Sequence, residues 1–256
     1  MNHERYVAFK PAVFWKGKSY FMEERFSRTA LLVGENGVER LRKSRVAVFG
    51  VGGVGSFTVE ALARLGIGHI TLVDPDMVAE SNLNRQLIAL HSTVGKYKVD
   101  VAKERILDIN PEAEVEALRL FYLPENAEGF DVSRFDCIVD AIDTVSAKLE
   151  LIVRAKAAGV PIVSSMGTGN KMHPEMLEIS DISKTSVCPL ARVMRRELRA
   201  RGIKELKVVY SKEEAIEPKE SVFLPNGKKT VGSISFVPSA AGLLIASEVC
   251  RTLLGE

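Results

Sequence analysis

The sequence predicts an α/β fold, a Rossmann-like, doubly wound and mostly parallel sheet with an N-terminal helical segment and a C-terminal extension of the same sheet. Short β-branched runs alternate with segments of helical spacing, which is typical of parallel strands joined by right-handed crossovers. A glycine-rich turn follows the first of these runs, where a Rossmann strand turns into a helix. The composition, 46% hydrophobic and 27% charged over 256 residues, is that of an ordinary globular protein.

The first two thirds of the chain hold most of the predicted elements. A helical segment is expected at residues 21–43, with Phe26, Leu31 and Leu32 as apolar anchors and a break at residues 34–37. Five strands and three helices then alternate, with the strands at residues 45–50, 69–74, 115–120, 135–140 and 160–165 and the helices at residues 57–65, 96–110 and 147–158.

The remainder of the chain has weaker periodicity. Two strands and a helix are predicted there, at residues 176–179, 207–210 and 190–201. Residues 211–232 are rich in Lys, Glu, Pro and Gly and predict a mobile loop. The last apolar run, residues 237–254, is interrupted by Glu248 and Arg251, so we expect a helix packed in the core rather than a membrane span.

Targeting signals and cysteine spacing define the expected compartment. The first twenty residues contain no apolar run long enough for a secretory signal, and we expect no membrane association. The three cysteines, Cys137, Cys188 and Cys250, form no CxxC pair, which argues against a disulfide framework and a structural zinc site. A reducing, cytoplasmic compartment is therefore expected, with Cys137 and Cys250 as small buried side chains.

The glycine turn predicts a phosphate-binding site. Glycines have no Cβ atom, so their backbone N–H groups can approach a phosphate at the positive end of the following helix; here they are Gly50, Gly52, Gly53 and Gly55. Asp74 closes the second strand, where an acidic residue usually holds a ribose hydroxyl. NAD, FAD, S-adenosylmethionine and ATP all remain compatible with this pattern, as does a tight turn without a ligand.

Three charged residues further along distinguish between these ligands. Arg85 and Lys98 suit a triphosphate whose pyrophosphate leaves, because cations offset the charge that develops on it. Asp143 lies just beyond the fourth strand of the series, where a carboxylate could hold Mg²⁺ against the phosphates. The alternatives are solvated surface charges for the two cations and a helix cap for Asp143.

Six ordered motifs resemble the ubiquitin-activating-enzyme superfamily over residues 22–170. They are RxxR at residues 25–28, GVGGVGS from Gly50, Asp74-Pro75-Asp76, SNLNRQ at residues 81–86, GKYK at residues 95–98 and Ala141-Ile142-Asp143. The resemblance implies ATP and Mg²⁺ as cofactors, with Asp74 on the ribose, Arg28, Arg85, Lys98 and Asp143 as catalytic residues and Asp143 as the metal ligand. It also implies a homodimer, in which Arg28 reaches into the partner's site.

The same resemblance implies the rest of the nucleotide site. The expected contacts are Gly50, Gly52, Gly53, Gly55, Asp74, Asp76, Asn82, Arg85, Gln86 and Lys98. Residues 22–256 are then one ATP-binding adenylating domain, with a nucleotide-binding half at residues 22–170 and a substrate and dimer half at residues 171–256. Residues 1–21 match no known pattern and are interpreted as an extension of unknown role.

The second half resembles the tRNA threonylcarbamoyladenosine dehydratases. The matching segments are Ile142 to Lys148, Gly167-Thr168-Gly169 with His173-Pro174, Ile182 to Thr185 with Pro189-Leu190-Ala191, and Phe236 to Ser239. The resemblance implies that the partner is tRNA carrying threonylcarbamoyladenosine. It also implies that the threonyl carboxylate is adenylated and that loss of AMP closes a ring.

Charge placement also favours a nucleic-acid partner. Residues 182–212 contain nine Lys or Arg and two acidic residues, a net charge of +7. Lys184, Arg192, Arg195, Arg196 and Arg199 are the candidate tRNA contacts. The alternative is a solvated helix face without a ligand.

Two competing functions remain open at this point. One is an adenylyltransferase that activates the C-terminal glycine of a small sulfur-carrier protein, with Cys188 as a reactive thiol and a sulfurtransferase as partner. Cys188 precedes a predicted helix, whose N-terminus can lower a thiol pKa. Such activators usually carry two CxxC pairs, which this chain lacks. The other is an NAD-dependent oxidoreductase or a nucleotide-sensing protein.

Overall fold

The computed structural model describes residues 13–15, 18–20, 24–220, 223 and 230–256. Within the N-terminal extension, strands β1 (Val13–Trp15) and β2 (Lys18–Tyr20) pair antiparallel as a separate two-stranded sheet. The sequence did not predict this hairpin, and the role of the extension stays open.

The first helix contains the break that its glycines predict. A 3-10 turn at Glu24–Phe26 leads into α1 (Ser27–Lys43), and Gly34 interrupts the helix with φ 74° and ψ 167°. Phe26 is buried, but Leu31 and Leu32 are 72% and 89% exposed. The prediction that these leucines anchor the helix in the core is wrong, because helical spacing marks an apolar face without showing what covers it.

A seven-stranded sheet forms the centre of the molecule. Its strands are β3 (Arg45–Phe49), β4 (His69–Val73), β5 (Glu114–Leu118), β6 (Cys137–Asp140), β7 (Ile162–Ser165), β8 (Leu177–Asp181) and β9 (Lys207–Ser211). Their spatial order is β5-β4-β3-β6-β7-β9-β8, and only β8 runs antiparallel to its neighbour. The predicted doubly wound α/β fold is confirmed.

Helices cover both faces of this sheet. They are α2 (Gly55–Leu65), α3 (Lys98–Ile109), α4 (Val145–Ala157), α5 (Pro189–Ala200) and α6 (Phe236–Leu254). Alternate residues of β3 belong to two hydrophobic cores, one on each face of the sheet. Val46 and Val48 pack with α2, α3 and α6, whereas Ala47 and Phe49 pack with α4 and α5. Buried parallel strands are apolar on both faces for this reason.

The last helix lies in the core, as predicted. By length and composition alone α6 could cross a membrane, but half of it is buried inside this fold. A Cβ atom on Gly242 would lie 2.4 Å from the Val54 carbonyl oxygen, and Thr58 Oγ1 donates to the Gly242 carbonyl at 3.0 Å. This close approach places the start of α6 beside the start of α2, at the carboxyl edge of the sheet.

The predicted loop at residues 211–232 is only partly described. Its first residue, Ser211, belongs to β9, and the described residues between Ser211 and Phe236 form no helix. The prediction that this loop is mobile falls partly on residues outside those that the structure describes.

Candidate functional site

A cleft of about 520 Å³ opens at the carboxyl ends of β3, β4, β6 and β7. Ligands bind at this edge in open α/β sheets. The cleft is lined by nine of the ten predicted nucleotide contacts and by Asp143, the exception being Gly55. The structure therefore brings together residues that span almost a hundred positions in sequence.

The four glycines of the turn have different structural roles. Gly50 has φ +89°, and an added Cβ would lie 2.6 Å from the Ala141 carbonyl oxygen. A Cβ on Gly55 would lie 1.8 Å from the Gly50 carbonyl oxygen, so Gly55 allows α2 to pack on β3 rather than lining the cleft. A Cβ atom on Gly52 would have open space around it, because the nearest described atom, Gln86 Nε2, would be 3.8 Å away.

Asp74 connects β4 to the glycine turn. Its Oδ2 accepts the Val51 N–H at 2.7 Å and its Oδ1 accepts the Asp76 N–H at 2.9 Å. Burial raises the pKa of Asp74, while Lys98 and the two N–H donors act in the opposite direction. The carboxylate thus fixes the shape of the turn as well as facing the cleft.

Lys98 is a buried cation, not a solvated surface charge. It is the first residue of α3 and only 6% exposed. Its Nζ lies 2.7 Å from Asp76 Oδ2 and 3.8 Å from Asp74 Oδ1. The sequence did not predict this pairing, which holds the ammonium group at a fixed place in the cleft wall.

The 81–86 segment carries the second cation and an unsatisfied amide. Arg85 Nη1 donates to the Ser81 carbonyl and to Asn84 Oδ1, both at 2.8 Å. Asn82 Oδ1 caps its own turn by accepting the Ala79 N–H at 3.1 Å. Gln86 Oε1 is buried and has no hydrogen-bond partner in the described part of the chain. An unpaired buried amide at a cleft wall favours a polar ligand.

Asp143 is available to a ligand. It is exposed in the cleft, and its Oδ1 accepts only the Thr144 hydroxyl, at 3.3 Å, among the hydrogen bonds of the described residues. The N-cap of α4 is Thr144 and has no side-chain cap, so the helix-capping alternative for Asp143 is not realised.

A buried ion pair supports the loop that carries Asp143. Lys148 Nζ lies 2.9 Å from Asp140 Oδ2 and donates to the carbonyls of Ile142 and Ser165 at 3.1 and 2.9 Å. Both charged residues have no exposed surface. Sequence reasoning missed this pair, although a lysine among the apolar positions of a helix was a signal for it.

The β5 side of the cleft is apolar and aromatic. Leu120, Phe121 and Tyr122 line it, and Phe121 is half exposed. Tyr122 packs edge-on against Phe49, and burial raises the pKa of its hydroxyl to about 12. These side chains give the cleft an apolar, aromatic wall of the kind on which a planar ligand can pack.

Comparison with known proteins identifies the family of this chain. The model of the ThiF family matches residues 26–256. The tRNA threonylcarbamoyladenosine dehydratase of Bacillus subtilis is 47% identical over 245 residues, which cover 92% of this chain and 96% of that protein.

The chain belongs to the ThiF family, among the tRNA threonylcarbamoyladenosine dehydratases.

Solved structures agree with this assignment. The Escherichia coli dehydratase is 35% identical over 237 residues, covering 90% of this chain and 88% of that protein. A crystal structure of that enzyme in complex with ATP has a TM-score of 0.82, with 34% identity, 90% coverage of this chain and 94% of that chain. The resemblance drawn from the sequence motifs is confirmed.

The basic helix of this dehydratase is only partly free to contact a partner. Lys184, Arg192 and Arg199 are exposed, and the exposed Arg196 pairs with Glu197. Arg195 is different: its Nη1 donates to the Thr185 carbonyl at 2.9 Å and to the Thr185 hydroxyl at 2.6 Å. Its guanidinium therefore holds the turn before α5, and a contact of Arg195 with tRNA stays a prediction.

Cys188 and Arg28 lie outside the cleft of their own chain. Cys188 is the N-cap of α5 and is buried, and its Sγ lies 3.8 Å from the Cβ position of the cleft residue Gly167. It therefore sits behind the cleft wall rather than on it. Arg28 is exposed on α1 and does not line the cleft. Cys137 is fully buried as predicted, which raises its thiol pKa to about 12, whereas Cys250 is only partly buried.

Proposed function

We propose that this protein binds ATP in the cleft and dehydrates threonylcarbamoyladenosine in tRNA, through adenylation of the threonyl carboxylate and release of AMP. The observation that carries the proposal is the convergence of the glycine turn, two cations and a free carboxylate in one cleft. Membership of the dehydratase family supports the same reaction. We place the enzyme in the cytoplasm, as a homodimer.

The lining of the cleft suggests how the nucleotide lies. We place adenine on the aromatic side at Phe121 and the ribose beside Asp74 and Asp76, because these residues line the cleft. The triphosphate then crosses the open space above Gly52 and reaches Arg85 and Lys98. Lys98 is buried and Arg85 is held by its hydrogen bonds, and cations fixed in this way stabilise the charge of a leaving pyrophosphate without reorganising during the reaction.

Asp143 fits the role of a magnesium ligand. No group of three or more His, Cys, Asp or Glu that could hold a metal exists among the described residues, so a metal would need oxygen atoms from the phosphates and water. Mg²⁺ binds in this way, through one or two carboxylates and substrate phosphates. When bound, it would neutralise phosphate charge; Asp143 would orient it, and Lys148 would hold the loop in place.

The chemistry needs positioning more than an enzyme nucleophile. A carboxylate oxygen attacks the α-phosphorus, and the bond to pyrophosphate breaks. A heteroatom of the same substrate's carbamoyl group then attacks the activated carbonyl carbon, AMP leaves and a proton is released to solvent. The net change is the loss of one water. Because both reacting groups belong to one substrate, holding them close supplies much of the rate.

The test is mass spectrometry of tRNA nucleosides. Wild-type protein with ATP, Mg²⁺ and verified threonylcarbamoyl-tRNA is expected to lower the nucleoside mass by one water, while AMP and pyrophosphate appear. Asp143→Asn should fold normally, because its side chain is exposed, and should lose about a hundredfold or more of the rate. An unchanged nucleoside mass with folded wild-type protein would contradict the proposal.

A further inference from the structure

The cleft continues beyond the part assigned to the nucleotide. Thr168 and Gly169, which follow β7, and residues 231–233 line it on the side away from Asp74. In the sheet, β4 lies on one side of β3 and β7 on the other. A nucleotide that runs from β4 to the turn after β3 leaves the β7 side for the group to be adenylated.

Residues 231–233 form a wall of this second part. A Cβ atom on Gly169 would lie 2.2 Å from Val231 Cγ1 and 3.2 Å from the Gly232 carbonyl oxygen, so the two segments touch. On the other side, Asn84 Nδ2 donates to the Ser233 carbonyl at 3.0 Å. The wall therefore extends from the neighbour of Arg85 to the turn after β7.

Asn170 holds this wall with both its backbone and its side chain. Its N–H donates to the Gly232 carbonyl at 2.8 Å, and its Oδ1 accepts the Gly232 N–H at 2.6 Å. Its own carbonyl accepts the Ile216 N–H at 2.8 Å. With φ +56° it adopts the left-handed conformation, which asparagine tolerates better than most residues.

The residues after Asn170 give it a rigid base. Glu213, buried just after β9, accepts the N–H groups of Met172 and His173 at 2.8 and 2.9 Å. The buried Lys171 Nζ donates to the Glu213 carbonyl. Asn170 is thus fixed to the sheet on one side and to the wall on the other.

We propose that Asn170 is a positioning residue that fixes residues 231–233 as the wall against which the threonylcarbamoyl group of the tRNA is held. This role rests on the proposed function, and it concerns the group being adenylated rather than ATP. Loss of the Asn170 side chain should loosen the wall and weaken productive binding of tRNA, while the glycine turn and Asp74 continue to bind the nucleotide.

Asn170→Gly is the informative variant, because glycine keeps the left-handed backbone and removes the side-chain amide that accepts the Gly232 N–H. We expect the KM for threonylcarbamoyl-tRNA to rise about fivefold or more, as for the loss of one ordinary hydrogen bond. The Kd for ATP should stay within about twofold of wild type by calorimetry. Asn170→Asp, which keeps both an acceptor and tolerance of this backbone, should recover most of the loss.

Hydrogen exchange tests whether Asn170 holds the wall at residues 231–233, and it does not require an activity assay. In Asn170→Gly the Gly232 amide should exchange faster than in wild type, whereas Asp131→Ala, which removes hydrogen bonds from a turn outside the cleft, should leave it unchanged. Unchanged exchange in Asn170→Gly would show that the Asn170 side chain does not hold the wall. Faster exchange with an unchanged tRNA KM, or with an equal loss of ATP affinity, overturns the assigned role. A wild-type protein without dehydratase activity would instead contradict the proposed function. The exchange result would still show whether Asn170 holds the wall.

Discussion

At the scale of single residues, the pair Lys148 and Asp140 shows how the site is supported. Neither side chain has exposed surface, and the ammonium group makes contacts with Asp140 Oδ2 and the carbonyls of Ile142 and Ser165. Three N–H donors therefore meet three acceptors. A buried charge is tolerated only when it is fully paired in this way.

Replacing Lys148 by methionine should destabilise the protein strongly. The change leaves the Asp140 carboxylate buried without its cation, so we expect the free energy of unfolding to fall by about 3–5 kcal/mol. Urea denaturation followed by circular dichroism measures this. The control is Arg154→Met on the same helix, which breaks a partly exposed pair with Glu150 and should cost no more than about 1 kcal/mol. Equal losses in the two variants would contradict the assigned role of the buried pair.

The residues that the sequence located are those with a chemical signature. Asp74, Lys98 and Asp143 were predicted from their places after strands and at helix starts, and the cleft contains all three. The sequence could not show which groups these side chains contact. Whether Lys98 faces solvent or two carboxylates depends on how α3 packs against β4, and the bonds of Arg195 to Thr185 depend on how α5 packs on the turn before it.

At the scale of elements, the arginines of α5 differ in their surroundings. Arg195 holds the preceding turn, while Arg192 and Arg199 remain exposed. The helix begins beside the cleft, since Leu190 lines it. This position and charge support the prediction that the exposed arginines of α5 contact tRNA phosphates.

Charge reversal on the exposed face tests this role. Arg192→Glu with Arg199→Glu should raise the KM for tRNA about tenfold or more and reduce its salt dependence, because phosphate contacts release counterions. Steady-state kinetics at several salt concentrations measures both effects. Lys43→Glu with Lys156→Glu makes the same change in net charge at the opposite edge of the sheet and should have little effect. A similar KM increase in both double variants would show that only net charge matters.

The elements themselves were largely predictable. From the first strand of the sheet onward, every predicted helix and strand lies within two residues of the observed bounds, because apolar periodicity is a local property. The antiparallel direction of β8 and the β1–β2 hairpin were not predicted. Strand direction and pairing depend on contacts between segments, and a three-residue strand has too few positions to show a period.

At the scale of the whole molecule, α1 presents features that fit a second copy. Arg28 is exposed and does not line the cleft of its own chain. Leu31 and Leu32 lie in the next turn of the helix and are largely exposed. Exposed apolar side chains beside a predicted catalytic arginine support the prediction that Arg28 completes the site of a partner protomer.

Subunit complementation tests this arrangement. Arg28→Ala and Asp143→Ala should each be nearly inactive alone, and coexpression should restore about a quarter of the wild-type activity. About half of the dimers are then mixed, and one of their two sites has both residues intact. A single-turnover assay of the unfractionated protein measures this fraction, and the mixed dimers isolated through two tags should show about half of the wild-type activity. No recovery in verified mixed dimers would show that Arg28 acts within its own chain.

The glycine turn has a consequence for reading related sequences. Gly50 is required by the Ala141 backbone after β6 and Gly55 by the Gly50 carbonyl inside the turn, so any descendant that keeps this architecture must keep both, whether or not it still binds a nucleotide. Gly52 is under no such steric demand from its own chain, since its Cβ position has space around it. A relative with alanine there would retain the fold and add a methyl group to the lining of the cleft, where we expect a phosphate to bind. We therefore expect the residue at this position, more than the motif as a whole, to distinguish relatives that bind the nucleotide from relatives that keep only the fold.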